Sequence, residues 1–341
     1  MFWLVIGLGA RASRVLLPPL SLWFLATSGE ARRASREYLG RALGRQARLR
    51  DVLRHFHSFG SAILDRVFLL SGRTARFHVT MEGEEHVIAA VAQQRGCILL
   101  GSHLGSFEVL RTMSARAPAP VRALMFRRNA GALTRLLERL NPELHQSVIE
   151  IGTTNGMLEV RECITRGEIV GILADRTPTP QAQGDRIDLR QIAVPFLGGK
   201  ALFPAGPFVL AAMLGAPVVL FQGVRTGPQR YTIRFEPFAD RVVLDRATRT
   251  DDLTTVIGRY AAALERGCRA HPYNWFNFFA FWEHGEDAER QPGHGTTLQN
   301  DPGHIDTGHI DPGPGSDPGL HRGTGRPGSG ATQPAARHAH P

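Results

Sequence analysis

The residues best suited to chemistry in this chain form one short run, Ser102-His103-Leu104-Gly105-Ser106-Phe107-Glu108. Histidine exchanges a proton near neutral pH, and a carboxylate bonded to it selects one tautomer and favours the imidazolium formed on proton uptake. His103 and Glu108 are therefore candidates for general-base chemistry on a hydroxyl. Five residues along one continuous helix would turn the two side chains about 140° apart, so they would not stack. If Gly105 starts the helix, His103 lies in the preceding loop and can turn back toward Glu108 on the first turn. By itself such a pair is often only a satisfied polar contact. A serine hydrolase is not indicated, because Gly101-Ser-His-Leu-Gly105 puts serine second rather than third, unlike a nucleophile elbow.

A second set of candidates sits where other strands are expected to end. Arg127 and Arg128 follow VRALMF, and Asp175-Arg176 closes IVGILAD. A planar guanidinium matches phosphate and carboxylate, so these arginines are candidates for holding an anionic group. Solvated surface is the plain alternative for any one of them. Asp175 is expected to bind a substrate group or to orient an arginine. The stretch Val194-Pro-Phe-Leu-Gly-Gly199 reads as a strand end and a tight turn. Cys97, Cys163 and Cys268 are widely separated and lack CxxC or zinc spacing, so neither a metal nor a disulfide is expected, which suits a reducing cytoplasm. Cys97 is read as core. No cofactor is expected: Gly7-x-Gly9-x-x-Ala12 imitates a dinucleotide fingerprint, but the following Arg-interrupted, double-proline stretch makes a poor glycine-loop helix.

The elements that must position these residues are rhythmic. RFHVTM, CILLG, IVGILAD and APVVLFQG read as strands. Helices at 84–95, 156–166 and 204–214 lead into the last three and are closed by Gly96, Gly167 and Gly215. VRALMF and SVIEI add strands, YTIRFEPF an antiparallel or edge strand, and 250–269 a last helix. The fold class is thus α/β, a mostly parallel central sheet flanked by helices. In such sheets ligands collect at the carboxyl ends of strands, where His103 is expected. Apolar residues from Leu49 to Leu70 recur at helical spacing, with His55 and His57 at the edge of that stripe and read as solvated. The aromatics of HPYNWFNFFAFW are read as core packing.

Composition bounds the partners. The formal charge is +9, almost all of it arginine, since Lys200 is the only lysine. A basic surface suits an anionic membrane, a phosphorylated substrate or an acidic carrier protein. No nucleic-acid motif is present, and no nucleic-acid partner is expected. Residues 1–28 hold two apolar runs divided by Arg11 and Arg14, the second interrupted by Pro18-Pro19. Neither reaches the roughly 20 residues of a clean span, so an interfacial anchor is expected, with Trp3 and Trp23 at headgroup depth. An ordinary buried helix pair is the alternative. Residues 29–285 form the main domain. From 286 to 341 the chain turns to Gly, Pro, His, Asp and Thr without apolar periodicity, the composition of a disordered tail.

HLGSFE matches the His-x4-Asp/Glu motif of the lysophospholipid acyltransferase superfamily. The ordered set HLGSFEVLR, FRRN, Asp175-Arg176, VPFLGGKALFPAGP, LGAPVV and HPYNWFNFFAFW, with the lead-in RRASREYLGRAL, most resembles its lipid A late acyltransferase (lauroyl and myristoyl) branch over residues 1–284. The resemblance implies a glycerol-3-phosphate acyltransferase-like fold with N-terminal membrane-associating helices at the inner face of the cytoplasmic membrane. It implies O-acyl transfer from an acyl-carrier-protein or acyl-CoA thioester to a lipid or glycolipid hydroxyl. His103 would be the general base oriented by Glu108, with Arg127 or, slightly favoured, Arg128 on a phosphate, and Val194-Pro-Phe-Leu-Gly-Gly199 lining the acyl site. Members closest to lipid A usually carry Asp-Gln where this chain has Asp175-Arg176, and that leaves the acceptor open. A lipid- or carrier-binding protein that keeps the fold without catalysis is the other reading.

Overall fold

The computed structural model describes residues 13–92, 95–112, 117–125, 147–151, 153–176 and 190–282, all within one unit, Met1–His304. The glycine motif at 7–12, Arg127, Arg128 and the tail expected at 286–341 lie outside them. Three helices open the described chain: α1 (Leu17–Thr27), α2 (Gly29–Leu43) and α3 (Leu49–Leu70). There follow β1 (His78–Glu82), α4 (Glu84–Ala92), β2 (Cys97–Gly101), α5 (Phe107–Thr112), β3 (Val121–Met125), β4 (Val148–Glu150), α6 (Thr154–Thr165) and β5 (Ile169–Leu173). The hairpin β6 (Gln191–Phe196) and β7 (Gly199–Pro204) precedes α7 (Gly206–Leu214), β8 (Val218–Gly227), β9 (Arg230–Ala239) and α8 (Arg249–Ala270).

Seven strands make one sheet in the order β1-β9-β8-β2-β5-β3-β4, parallel throughout except for the β8–β9 pair. CILLG forms a central strand because all five residues are apolar or small and all five are buried, as a strand covered on both faces requires. YTIRFEPF is antiparallel to β8 but is not an edge. Among the described residues the edges are β4 and β1, which pairs in parallel outside β9 and alternates exposed with half-buried residues. Gly96, Gly167 and Gly215 take φ of 64°, 79° and 62°, the left-handed turns expected after the helices. The run VPFLGG becomes the tight end of β6–β7: Leu197 and Gly198 have φ of 49° and 74°, and Phe196 pairs with Gly199. Two consecutive left-handed residues suit the right-handed twist of a two-residue hairpin.

At the amino end the prolines do not interrupt the second apolar run. Pro18 and Pro19 occupy the first turn of α1, where a helix has no use for their missing N–H groups, and they start it. The helix buries Leu17, Ser21 and Leu25, while Val15, Leu16, Leu22 and Trp23 stay exposed, Trp23 at 58%. Among the described residues no helix is long and apolar enough to cross a membrane.

His55 departs furthest from expectation. It is fully buried rather than solvated, with Nδ1 2.9 Å from the Ser35 hydroxyl and Nε2 2.9 Å from the Trp275 carbonyl oxygen. Sequence spacing put it at the edge of the α3 stripe, but α2 and residues 273–278 close over that edge. Burial, opposed by the bond to Trp275, lowers its pKa from 6.5 to about 4. Between those values the unfolded chain binds a proton that the folded chain refuses. This contribution to stability is whole above about pH 6.5 and is lost as pH falls through the window. Wild type should lose about 2 kcal/mol through this group between about pH 7.5 and about pH 5 in denaturant titrations, and His55→Gln should lose correspondingly less. Equal losses in both proteins would assign the dependence elsewhere.

Candidate active site

The site is built where two adjacent parallel strands end together. β2 and β5 pair in register, Gly101 beside Leu173, so the residues two positions further, His103 and Asp175, leave the sheet side by side. The Ala174 N–H donates to the Gly101 carbonyl at 2.9 Å, and the Tyr260 hydroxyl of α8 donates to the same oxygen at 2.7 Å, which fixes where both chains depart. His103 Nδ1 lies 2.8 Å from Asp175 Oδ1, and the His103 backbone N–H donates to Oδ2 at 3.0 Å. The indole N–H of Trp275 donates to Oδ2 at 2.9 Å.

These contacts decide the protonation pattern. Burial would raise the Asp175 carboxyl, but the charge and hydrogen bond of His103, Arg176 and the Trp275 indole outweigh it and hold the group well below the ordinary carboxylate range. An ionised carboxylate only accepts, so Nδ1 carries the proton it donates, and Nε2 is left with the lone pair. The Asp175 side chain is 0% exposed, whereas that of His103 is 37% exposed. The orienting group is therefore sealed from water while the imidazole edge that can take a proton is reachable.

Glu108 lies on the helix that follows the His103 loop. It stands in the first turn of α5, where Oε1 is 2.8 Å from Arg66 Nη2 on α3, and the Ser106 hydroxyl donates to Oε2 at 3.2 Å. The carboxylate on His103 Nδ1 is Asp175, a strand-end residue 72 positions away that parallel pairing brings there, while Glu108 pairs with Arg66 of α3. Arg176 continues from Asp175, donates to the Phe276 carbonyl, and carries its guanidinium 5.3 Å from the Phe279 ring centre. The structure thus gathers His103, Asp175 and Arg176 at one place, with Glu108 joined to α3 beside the same loop.

The loop carrying His103 is held by the backbone of Asn274, Gly223 and Phe276, the last of them read as core packing. Gly105 N–H donates to the Asn274 carbonyl and Ser106 N–H to the Gly223 carbonyl, both at 2.8 Å, while Phe276 N–H donates to the His103 carbonyl at 3.3 Å. The Asn274 side chain accepts from Arg225 N–H at 2.8 Å, tying the same segment to β8. Indole nitrogen in HPYNWF was the one signal available beforehand, since a buried tryptophan N–H needs an acceptor.

Comparison with known proteins adds one match. The family model described as bacterial lipid A biosynthesis acyltransferase matches residues 1–284. No curated protein matches the chain.

Gly105 shows how tightly this loop is set. Its φ is +87°, and a Cβ there would lie 1.9 Å from the Gly223 carbonyl oxygen. Gly105→Ala is expected to cost about 3 kcal/mol or more in chemical denaturation, because neither the loop nor β8 can give way cheaply. Gly198→Ala, also at positive φ but with nothing within 4 Å, should cost only about 1–2 kcal/mol. Comparable losses at the two positions would show that backbone conformation alone, not the close approach to β8, limits Gly105.

Proposed function

The chain belongs to the bacterial lipid A biosynthesis acyltransferase family, and from that premise we propose that it transfers a fatty acyl group from a thioester to a hydroxyl of a lipid or glycolipid, with His103 as general base. The observation that carries the reading is the 2.8 Å contact between His103 Nδ1 and a fully buried Asp175. It leaves Nε2 as the proton acceptor on the accessible edge of the ring. Nε2 takes the proton of the acceptor hydroxyl as that oxygen attacks the thioester carbonyl carbon. The new C–O bond forms, the C–S bond breaks, and the imidazolium returns its proton to the departing thiolate. The acceptor oxygen is itself the nucleophile, so no acyl-enzyme is needed. Asp175 stabilises the transient imidazolium and keeps the tautomer.

Glu108, first considered as the orienting group, is assigned here to holding the Arg66 guanidinium beside the His103 loop. Arg66 and Arg176 then join Arg127 or Arg128 as candidates for an anionic group of the donor or acceptor. An acyl-carrier protein or acyl-CoA is the proposed donor. The proposed location is the inner face of the cytoplasmic membrane, supported by exposed Val15, Leu16, Leu22 and Trp23 on and before α1. The +9 formal charge favours an anionic surface.

Mass spectrometry of total lipid extracts tests this directly. Cells producing the wild type should contain a lipid heavier by one acyl chain that is lost with His103→Ala at equal protein level. Asp175→Asn should lower the rate of its formation by about 10²–10⁴-fold, the usual worth of a positioned general base. Identical lipid profiles, with the native acceptor pathway present, would sink acyl transfer in favour of non-catalytic binding of a lipid or carrier.

A further inference from the structure

Behind Asp175 a line of buried polar groups runs through the core to the second helix. The Trp275 indole N–H donates to Asp175 Oδ2 at 2.9 Å, and the carbonyl oxygen of the same residue is 2.9 Å from His55 Nε2. A carbonyl only accepts, so His55 carries its proton on Nε2 and its Nδ1 accepts the Ser35 hydroxyl proton at 2.9 Å. Ser35, His55, Trp275 and Asp175 are each 0% exposed. Packing does not require an imidazole here. The Phe278 ring stacks on His55 with centres 4.6 Å apart, and an apolar ring would fill that space without desolvating two nitrogens. What the polar line adds is direction.

Trp275 is the residue on which this direction acts. Its backbone bridges Leu104, the neighbour of His103, and its carbonyl accepts from Asn277 N–H at 2.9 Å as well as from His55. Its side chain reaches the carboxylate that holds the imidazole. One rigid side chain therefore sets the distance between the His103 loop and Asp175. The groups that face Asp175 electrostatically are His103, Arg176 beside it, and Tyr260 and Cys268 on α8. Arg176 is engaged by the Phe276 carbonyl and Tyr260 by the Gly101 carbonyl. Of the donors on Oδ2, the indole is the one supplied by a side chain from outside β2 and β5.

We propose that Trp275 and His55 are positioning residues for the acyl transfer set out above, on which this inference rests. Trp275 holds Asp175 Oδ2 so that Oδ1 stays on His103 Nδ1, and His55, backed by Ser35, locks Trp275 in that orientation. Neither touches the reacting atoms. Both act by keeping the proton on Nδ1 and the lone pair on Nε2.

The test uses the full-length chain, with ¹⁵N NMR of the His103 ring assigned by its disappearance in His103→Ala. The wild type should show one tautomer, protonated on Nδ1. In His55→Leu and Trp275→Phe the two tautomers should exchange, and kcat should fall roughly fivefold or more with KM for the acyl donor unchanged. His55→Gln, whose amide N–H reaches the place of the lost Nε2–H, should restore both readouts. If His55→Leu does not fold, His55→Asn, too short to reach the Trp275 carbonyl, takes its place. A wild type with mixed tautomers overturns the relay. Folded His55→Leu and Trp275→Phe proteins with the wild-type spectrum overturn it too, as does a His55→Gln protein no better than His55→Leu. Absence of any acyl transfer by the wild type would instead count against the activity, and the spectra would still decide the relay.

Discussion

One buried carboxylate organises this molecule. Asp175 accepts three N–H groups, two from His103 and one from Trp275, at 2.8 to 3.0 Å and with no exposure to water. An ionised group so placed is costly unless every lone pair is used, so its neighbours are constrained as strongly as it is. Register, loop conformation and the path of residues 271–282 together satisfy it. Parallel pairing of β2 with β5 brings the aspartate to the histidine. The left-handed turn at Gly105 lets the loop pass β8 at backbone contact. The terminal aromatic segment crosses above both and supplies the third donor.

That organisation divides the site into a sealed and an open side. Asp175, Trp275, His55 and Ser35 lie in the core, where a low local dielectric makes each hydrogen bond directional and each orphaned group expensive. The His103 ring edge faces outward, with Arg176 and the Glu108–Arg66 pair near the same loop. A general base gains from this split. Its orientation is set without competition from water, while its reactive nitrogen remains within reach of a substrate hydroxyl. Near the same loop the guanidinium of Arg66 pairs with Glu108 and that of Arg176 lies over the Phe279 ring, and α1 adds exposed apolar residues.

Much of this was legible in the chain itself. Continuous apolar runs such as CILLG and IVGIL specify buried parallel strands, and glycine after each intervening helix specifies its end, because both follow from local sterics and period. The histidine at a strand end was visible for the same reason. The identity of its carboxylate partner was not. Sequence proximity favoured Glu108, but proximity along a chain says little about which side chain meets which once a helix turns between them. Asp175 is 72 residues from His103, and only the register of two parallel strands brings them together. His55 looked like the wet edge of an amphipathic helix because periodicity records one face, not what a distant segment later covers. Pro18 and Pro19 looked like breakers until the position of the helix start was known. The sequence by itself determined the α/β layering, the placing of His103 at a strand end and the family, since those rest on composition, period and motif. The tertiary structure alone decided which acid orients the base and which buried donors hold that acid, since those depend on strand register and long-range closure.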